Sequence, residues 1–132
     1  MRALIHHTFG EPEDVLAVEE HEKPEPGPGQ VRLRVLLAPI HNHDVLTVRG
    51  HYGIKPQLPA VAGTEAVGIV DALGAGVEHL TIGQRVATGS TPGTWAEYVI
   101  ASARGVVPVP DSLSDESAAQ LVSMPFSAIS LL

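Results

Sequence analysis

Thirteen glycines and eleven prolines punctuate a chain that is 44% hydrophobic. Proline fixes φ and lacks an amide donor, while glycine frees the backbone for tight turns, so neither suits the interior of a long helix or a central strand. Between these breakers lie short apolar stretches of about four to eight residues, the length of strands. Many short elements joined by turns satisfy that spacing, and a mainly β fold with short helices follows. The 132 residues are one domain's length, enough for a hydrophobic core without disulfide or metal staples.

Along the chain, residues 1–8 and 14–20 read as strands, followed by a connector carrying Pro24, Pro26 and Pro28. Residues 31–36 alternate apolar and polar side chains and then turn wholly apolar, the pattern of a strand passing from half-buried to buried. Residues 43–50 predict a short helix with Val45, Leu46 and Val48 on its apolar face and Gly50 just past its end. Residues 65–73, the segment up to Ala87 after the Gly83 turn, and residues 95–100 read as further strands. Pro108 and Pro110 confine residues 106–110 to a sheet edge. Ser114 is an expected N-cap, with Asp115 and Glu116 in the first turn of a helix that continues through Leu121. Met124-Pro125 predicts an interruption, and residues 127–132 the opening of a second helix. That run has no closing glycine. The expectation is one unit over residues 1–118 and, over residues 119–132, the start of a helical junction to a further domain.

Eight Lys and Arg against fifteen Asp and Glu leave a net charge of −7. The chain therefore lacks the basic footprint of a nucleic-acid binder and any polybasic segment for anionic lipid. No apolar run reaches the roughly 18 residues of a membrane span. With no cysteine there is no disulfide framework, thiolate zinc site or Cys nucleophile. The first residues lack an apolar h-region and a small-residue cleavage site, so no signal or transit peptide is expected. The expectation is a cytoplasmic protein acting on a small molecule, without nucleic-acid or membrane partners.

The chemistry-bearing residues crowd together. His41, His43, Asp44, His51 and Tyr52 fall within twelve positions, with Glu65 a little further on. Around them, Glu25-Pro26-Gly27-Pro28-Gly29-Gln30-Val31, Ala38-Pro39-Ile40-His41-Asn42-His43-Asp44, Arg49-Gly50, residues 58–68 and Gly83-Gln84-Arg85-Val86 occur in an ordered series. That series resembles the N-terminal, GroES-like catalytic domain of medium-chain dehydrogenases/reductases, and the likeness covers essentially the whole chain. Within that family the chain is most similar to the zinc-independent branch, the quinone oxidoreductases and the mitochondrial-type trans-2-enoyl thioester reductases. Residues 38–44, Arg49-Gly50-His51-Tyr52-Gly53, residues 58–61 and Gly93-Thr94-Trp95 carry the likeness to the thioester reductases.

The resemblance implies a GroES-like, partly opened β-barrel set against a Rossmann domain, with the active site in the cleft between them. No G-x-G-x-x-G follows a strand in this sequence, so the chain as written holds the substrate half, and its C-terminal helices lead toward an absent Rossmann domain. The implied cofactor is NADPH, bound mainly by that missing domain, and a homodimer is among the assemblies the family allows. The implied reaction is hydride addition to an activated C=C, in a 2-enoyl thioester or an α,β-unsaturated carbonyl. Two alternatives stand beside it: a quinone oxidoreductase, and a cofactor-free GroES-like binding or assembly module.

Tyr52 falls on the active-site tyrosine of the thioester reductases. A phenol with a pKa of about 10 is a donor at neutral pH, suited to an enolate oxygen or to Cα. The plainer reading is a tyrosine that anchors a glycine-flanked loop. Zinc-dependent relatives carry a cysteine at the His41 position and a histidine where Thr64 stands here. Threonine is a poor zinc ligand, so no catalytic zinc is expected. His41 is expected to line the cofactor or substrate cleft, or else to be a partly buried histidine satisfied by a backbone carbonyl. Ser127 aligns with a hydroxyl residue that contacts the nicotinamide. Asn42 and Trp95 are expected at the substrate cleft. Asn42 and Asp44 also suit a helix start, and Trp95 also suits core or loop support. Glu65 needs a buried partner, either Arg49 or His41. Gly63 and Gly68 are expected to permit close backbone approach or a bulge.

Overall fold

The computed structural model describes all residues, 1–132. Eight short strands and four short helices follow one another as β1 (Arg2–His6), α1 (Pro12–Val15), β2 (Ala17–Glu20), β3 (Gln30–Leu37), α2 (Asn42–Arg49), β4 (Ala60–Val61), β5 (Ala66–Leu73), β6 (Arg85–Thr88), β7 (Tyr98–Ser102), β8 (Val107–Pro108), α3 (Asp115–Ala118) and α4 (Ser123–Ser130). The mainly β reading holds. The strands form a three-stranded sheet, β2-β1-β4, and a five-stranded sheet, β7-β3-β5-β6-β8. Every pairing is antiparallel. Neither sheet closes on itself. The loop before β7 joins them: Leu4 N–H donates to Trp95 O, Trp95 N–H to Ala62 O, Glu97 N–H to Arg2 O and Val35 N–H to Glu97 O, at 2.8–3.1 Å. No helix is long and apolar enough to cross a membrane.

The core lies on both faces of the larger sheet. Val31, Leu33, Val70, Val86 and Val99 pack with Leu80 and Val106 on one face. Val67 and Ala87 meet Val109, Ala118 and Ala119 on the other. At about 25 cal/mol per Å² of apolar surface, these branched side chains supply most of the folding drive. β3 reverses its expected polarity of burial. Val31, Arg32 and Leu33 are buried, whereas the apolar run at its end is half-buried or exposed. Arg32 enters the interior because its charge is met: Nε donates to Asp71 at 2.7 Å and Nη1 to Glu25 at 2.9 Å. Its pKa is raised; burial opposes the rise, and the hydrogen bonds to Asp71 and Glu25 outweigh it. Asp71 is held below its ordinary 3.8, first by the hydrogen bond from Arg32.

Four element readings need correction. Residues 14–20 are not one strand: Pro12 at the first turn starts α1, and β2 begins only at Ala17. The strand read from Trp95 begins at Tyr98, because the Trp95–Glu97 amides are drawn to β1 and Ala62. α3 ends at Ala118 rather than continuing to Leu121. Met124-Pro125 does not interrupt a helix but sits in the first turn of α4, where proline's missing N–H costs nothing. Ser114 does cap α3, its side chain accepting from Ser117 N–H at 3.2 Å.

Candidate active site

Three segments converge at one end of the larger sheet: the start of α2, the Gly63-Thr64-Glu65 turn before β5, and the first turn of α4. Gly63 makes the turn possible. Its φ is +92°, and a Cβ there would strike the Thr94 hydroxyl and the Trp95 ring, so only glycine fits. Gly68 answers a second expectation: a Cβ would lie 2.7 Å from Arg34 O, next to the register shift between Val35 and Leu37.

α2 begins at Asn42 with His41 as its N-cap residue, and Asp44 Oδ2 accepts the His41 N–H at 2.9 Å. Asp44 thus serves the helix start from its third position. Gly50 closes the helix at φ +76°. The side chains at this start form two hydrogen-bonded pieces. In the first, His41 Nε2 meets Glu65 Oε2 in a short contact. Glu65 is fully buried, and its other oxygen accepts the N–H groups of Val122 at 3.0 Å and Ser123 at 2.8 Å. Val122, the N-cap residue of α4, has no capping side chain of its own. Glu65 caps the helix from outside, placing a carboxylate at the positive end of its dipole.

In the second piece, His43 Nε2 lies 2.8 Å from Thr64 Oγ1, and Thr64 donates to Asp44 Oδ1 at 2.8 Å. The rings join the pieces. His41 stacks on His43 with centroids 5.0 Å apart and 19° between planes, and Tyr52 lies 5.8 Å from His43 at 30°. Tyr52 is 40% exposed on the loop after α2, and its hydroxyl has no partner within the chain. Tyr52, His43 and His41 therefore form a row from solvent to the buried Glu65.

The expected site residues separate on this geometry. His41 and Tyr52 belong to the row. Asn42 is exposed at the first turn of α2, between the two histidines in sequence. Ser127 is exposed on α4, one turn beyond the Ser123 amide that Glu65 binds. Trp95 packs against the Gly63 turn without joining the row: its Nε1 donates to Pro39 O at 3.1 Å, and it lines a groove of about 430 Å³ with Leu4, Val35 and Leu36, to which the row contributes nothing. His41 is satisfied by a carboxylate, not by a backbone carbonyl. Arg49 is not the partner of Glu65, since it pairs with Glu11 at 3.0 Å. Thr64 and His43 acquire roles that their sequence positions did not assign. The signal available was the alternation of hydroxyl, carboxylate and imidazole in residues 41–44 and 64–65.

No three His, Cys, Asp or Glu side chains come together to hold a metal ion. A dinucleotide-binding motif is likewise not among these residues. Glu65 ties His41 to the first turn of α4, the helix that carries Ser127.

Residues 27–111 match the family model of the alcohol dehydrogenase GroES-like domain. The bovine mitochondrial enoyl-[acyl-carrier-protein] reductase is 35% identical over 133 residues, covering all of this chain and 36% of that protein. Among solved structures, a putative NADPH:quinone reductase from Bacillus thuringiensis superposes with a TM-score of 0.89 at 41% identity, covering 97% of this chain and 39% of that one. The Escherichia coli quinone oxidoreductase complexed with NADPH gives a TM-score of 0.93 at 28% identity, covering all of this chain and 40% of that one. The chain thus spans about two fifths of the length of these relatives. The matched domain, the sheet topology and the whole-chain likeness to these oxidoreductases agree: the chain belongs to the medium-chain dehydrogenase/reductase family, as its alcohol dehydrogenase GroES-like domain.

Proposed function

We propose that this chain is the substrate-side part of an NADPH-dependent reductase that adds hydride to an activated C=C without zinc, and that Tyr52 is its proton donor. The observation that carries the reading is the half-exposed Tyr52 hydroxyl, unpartnered in the chain and standing at the end of an ordered row of imidazoles. NADPH, when bound, supplies a hydride. His41 and Ser127 are the residues of this chain that would touch its nicotinamide end, and the pyrophosphate would be held elsewhere, since no phosphate-binding glycine motif is present. Hydride addition at Cβ of an enoyl thioester puts negative charge on the carbonyl oxygen and Cα. Tyr52 answers that charge by hydrogen bonding to the enolate oxygen or by protonating Cα.

The donor set supports a zinc-free reading. Glu65 spends one oxygen on two amides and the other on His41, and Thr64 spends its proton on Asp44. No step is therefore routed through a metal. We also read residues 1–118 as the catalytic unit, residues 119–132 as the start of the junction, and the working enzyme as a cytoplasmic protein acting on a dissolved small molecule.

A quinone oxidoreductase is the second reading, favoured by the 41% identity to the Bacillus thuringiensis protein. A flat quinone makes less demand on Tyr52. NADPH oxidation by the full-length protein, with a short 2-enoyl-CoA and a simple quinone offered in parallel, separates the two. Preference for the thioester supports the first reading, and turnover of the quinone alone replaces it with the second. Metal analysis of untagged protein accompanies the assay: activity with less than stoichiometric zinc is expected, and stoichiometric zinc whose removal abolishes activity would overturn the zinc-free part.

A further inference from the structure

The hydrogen bonds around His43 fix where its proton sits. Asp44 is almost wholly buried, and its carboxylate only accepts. The single Thr64 hydroxyl proton goes to Asp44 Oδ1, so Thr64 Oγ1 must accept from His43. The 2.8 Å contact is then Nε2–H donating to Thr64. That leaves Nδ1 with its lone pair and no partner in the chain. The side chain is 33% exposed and lies beside Tyr52. A proton gained at Nδ1 makes an imidazolium whose Nε2 is 3.5 Å from Asp44 Oδ1. A buried carboxylate acting through a hydroxyl on an imidazole is the arrangement that orients a proton-transfer group and steadies its charged form.

We propose that His43, oriented by Thr64 and Asp44, reloads Tyr52 with a proton after each turnover. The inference rests on the reading of Tyr52 as donor. In the first step the Tyr52 O–H bond breaks, its proton goes to the reduced substrate's Cα, and a phenolate remains. In the second, neutral His43 takes a proton from solvent at Nδ1, and the Nδ1–H bond of the resulting imidazolium breaks as the proton passes to the phenolate oxygen, directly or through one water. His43 is left neutral, as it began. One proton enters from water and one leaves in product, and no electrons move beyond the hydride. The titratable groups facing His43 are His41 on one side of its ring, Tyr52 across the loop, and Asp44 beneath Thr64. His43 acts through Tyr52, so it is a positioning and relay residue rather than one that touches substrate.

The test has a spectroscopic and a kinetic arm. Long-range ¹H–¹⁵N spectra of the histidines in the 132-residue chain are expected to show His43 as the Nε2–H tautomer. In Thr64→Val, which removes the acceptor while keeping the side-chain shape, that preference is expected to be lost. A His43 found protonated at Nδ1 alone overturns the proposal. In the full-length protein, His43→Gln is expected to lower kcat for a 2-enoyl thioester by roughly 10- to 100-fold with little change in KM. Added imidazole is expected to restore part of it, an effect no merely structural loss would show. An unchanged kcat, or a loss that imidazole leaves untouched, overturns the relay. A deficit in Tyr52→Phe without one in His43→Gln overturns the relay and leaves the Tyr52 reading standing. Full activity in Tyr52→Phe overturns both.

Discussion

Asp71 and Glu65 mark the two ends of one strand. Asp71 sits within β5, partly exposed, and is neutralised by a full positive charge, the Arg32 guanidinium at 2.7 Å. Glu65 stands just before β5, fully buried, and its partners are two backbone amides and an imidazole. The first arrangement is a charge lock at the strand's open end. It holds β3 to β5 and touches nothing of the site. The second is a polar junction between three segments, and everything it binds belongs to the candidate site. The difference teaches where to look for function in this fold: at the carboxylate that spends its hydrogen bonds on the placement of other groups.

Breaking the junction is expected to cost most. Glu65→Leu strands two amides of α4 and the His41 nitrogen in the interior, a loss of about 3–5 kcal/mol. Urea denaturation of the 132-residue chain measures it. Glu65→Gln keeps an acceptor for the amides, so its cost is expected to be smaller, about 1–2 kcal/mol. If the leucine variant is as stable as the parent, Glu65 is not the junction described.

The charge lock is expected to matter less, and to show a pH signature. Asp71→Asn removes the charge but keeps an acceptor, for a loss of about 1–2 kcal/mol at neutral pH. Because folding depresses the Asp71 pKa, its contribution is complete above its ordinary 3.8 and fades as pH falls through the folded value. Parent and variant should therefore converge as pH falls below the folded value. A difference that persists undiminished there would show that packing, not charge, sets the loss.

Smallest of all is the surface pair. Glu97 is also held below its ordinary range, chiefly by the Arg2 backbone amide, yet it is solvated. Glu97→Gln is expected to leave the thermal midpoint unchanged, since exposed pairs are screened. A clear drop would place the joint between the two sheets among the structural locks.

Much of this was legible in the sequence. Prolines and glycines delimit the strands, Ser114 announces α3, and Gly50 closes α2, because turn and cap chemistry is local. Tyr52 and His41 could be picked out because they lie in a motif-bearing stretch. The partnership of Glu65 with the Val122 and Ser123 amides spans more than fifty residues, and no local pattern encodes it. The start of α4 was misread for the same reason: Val122 offers no cap, and the group that caps it is distant in sequence. The Thr64–Asp44 bond, and with it the orientation of His43, depends on the turn that Gly63 makes against Trp95. The burial of Arg32 was likewise hidden, since Arg32 reads as the exposed half of an alternating strand until Asp71 is brought beside it.

The central claim is that Tyr52 donates the proton in reduction of an activated C=C. Its most direct test is the kcat of Tyr52→Phe in the full-length protein with NADPH and a short 2-enoyl thioester. The variant removes one oxygen from a half-exposed side chain, so the fold is expected to stay intact by circular dichroism. The account predicts a fall in kcat of about 10²- to 10⁴-fold with KM nearly unchanged. Undiminished turnover by the folded variant would contradict it and return Tyr52 to the role of a loop anchor.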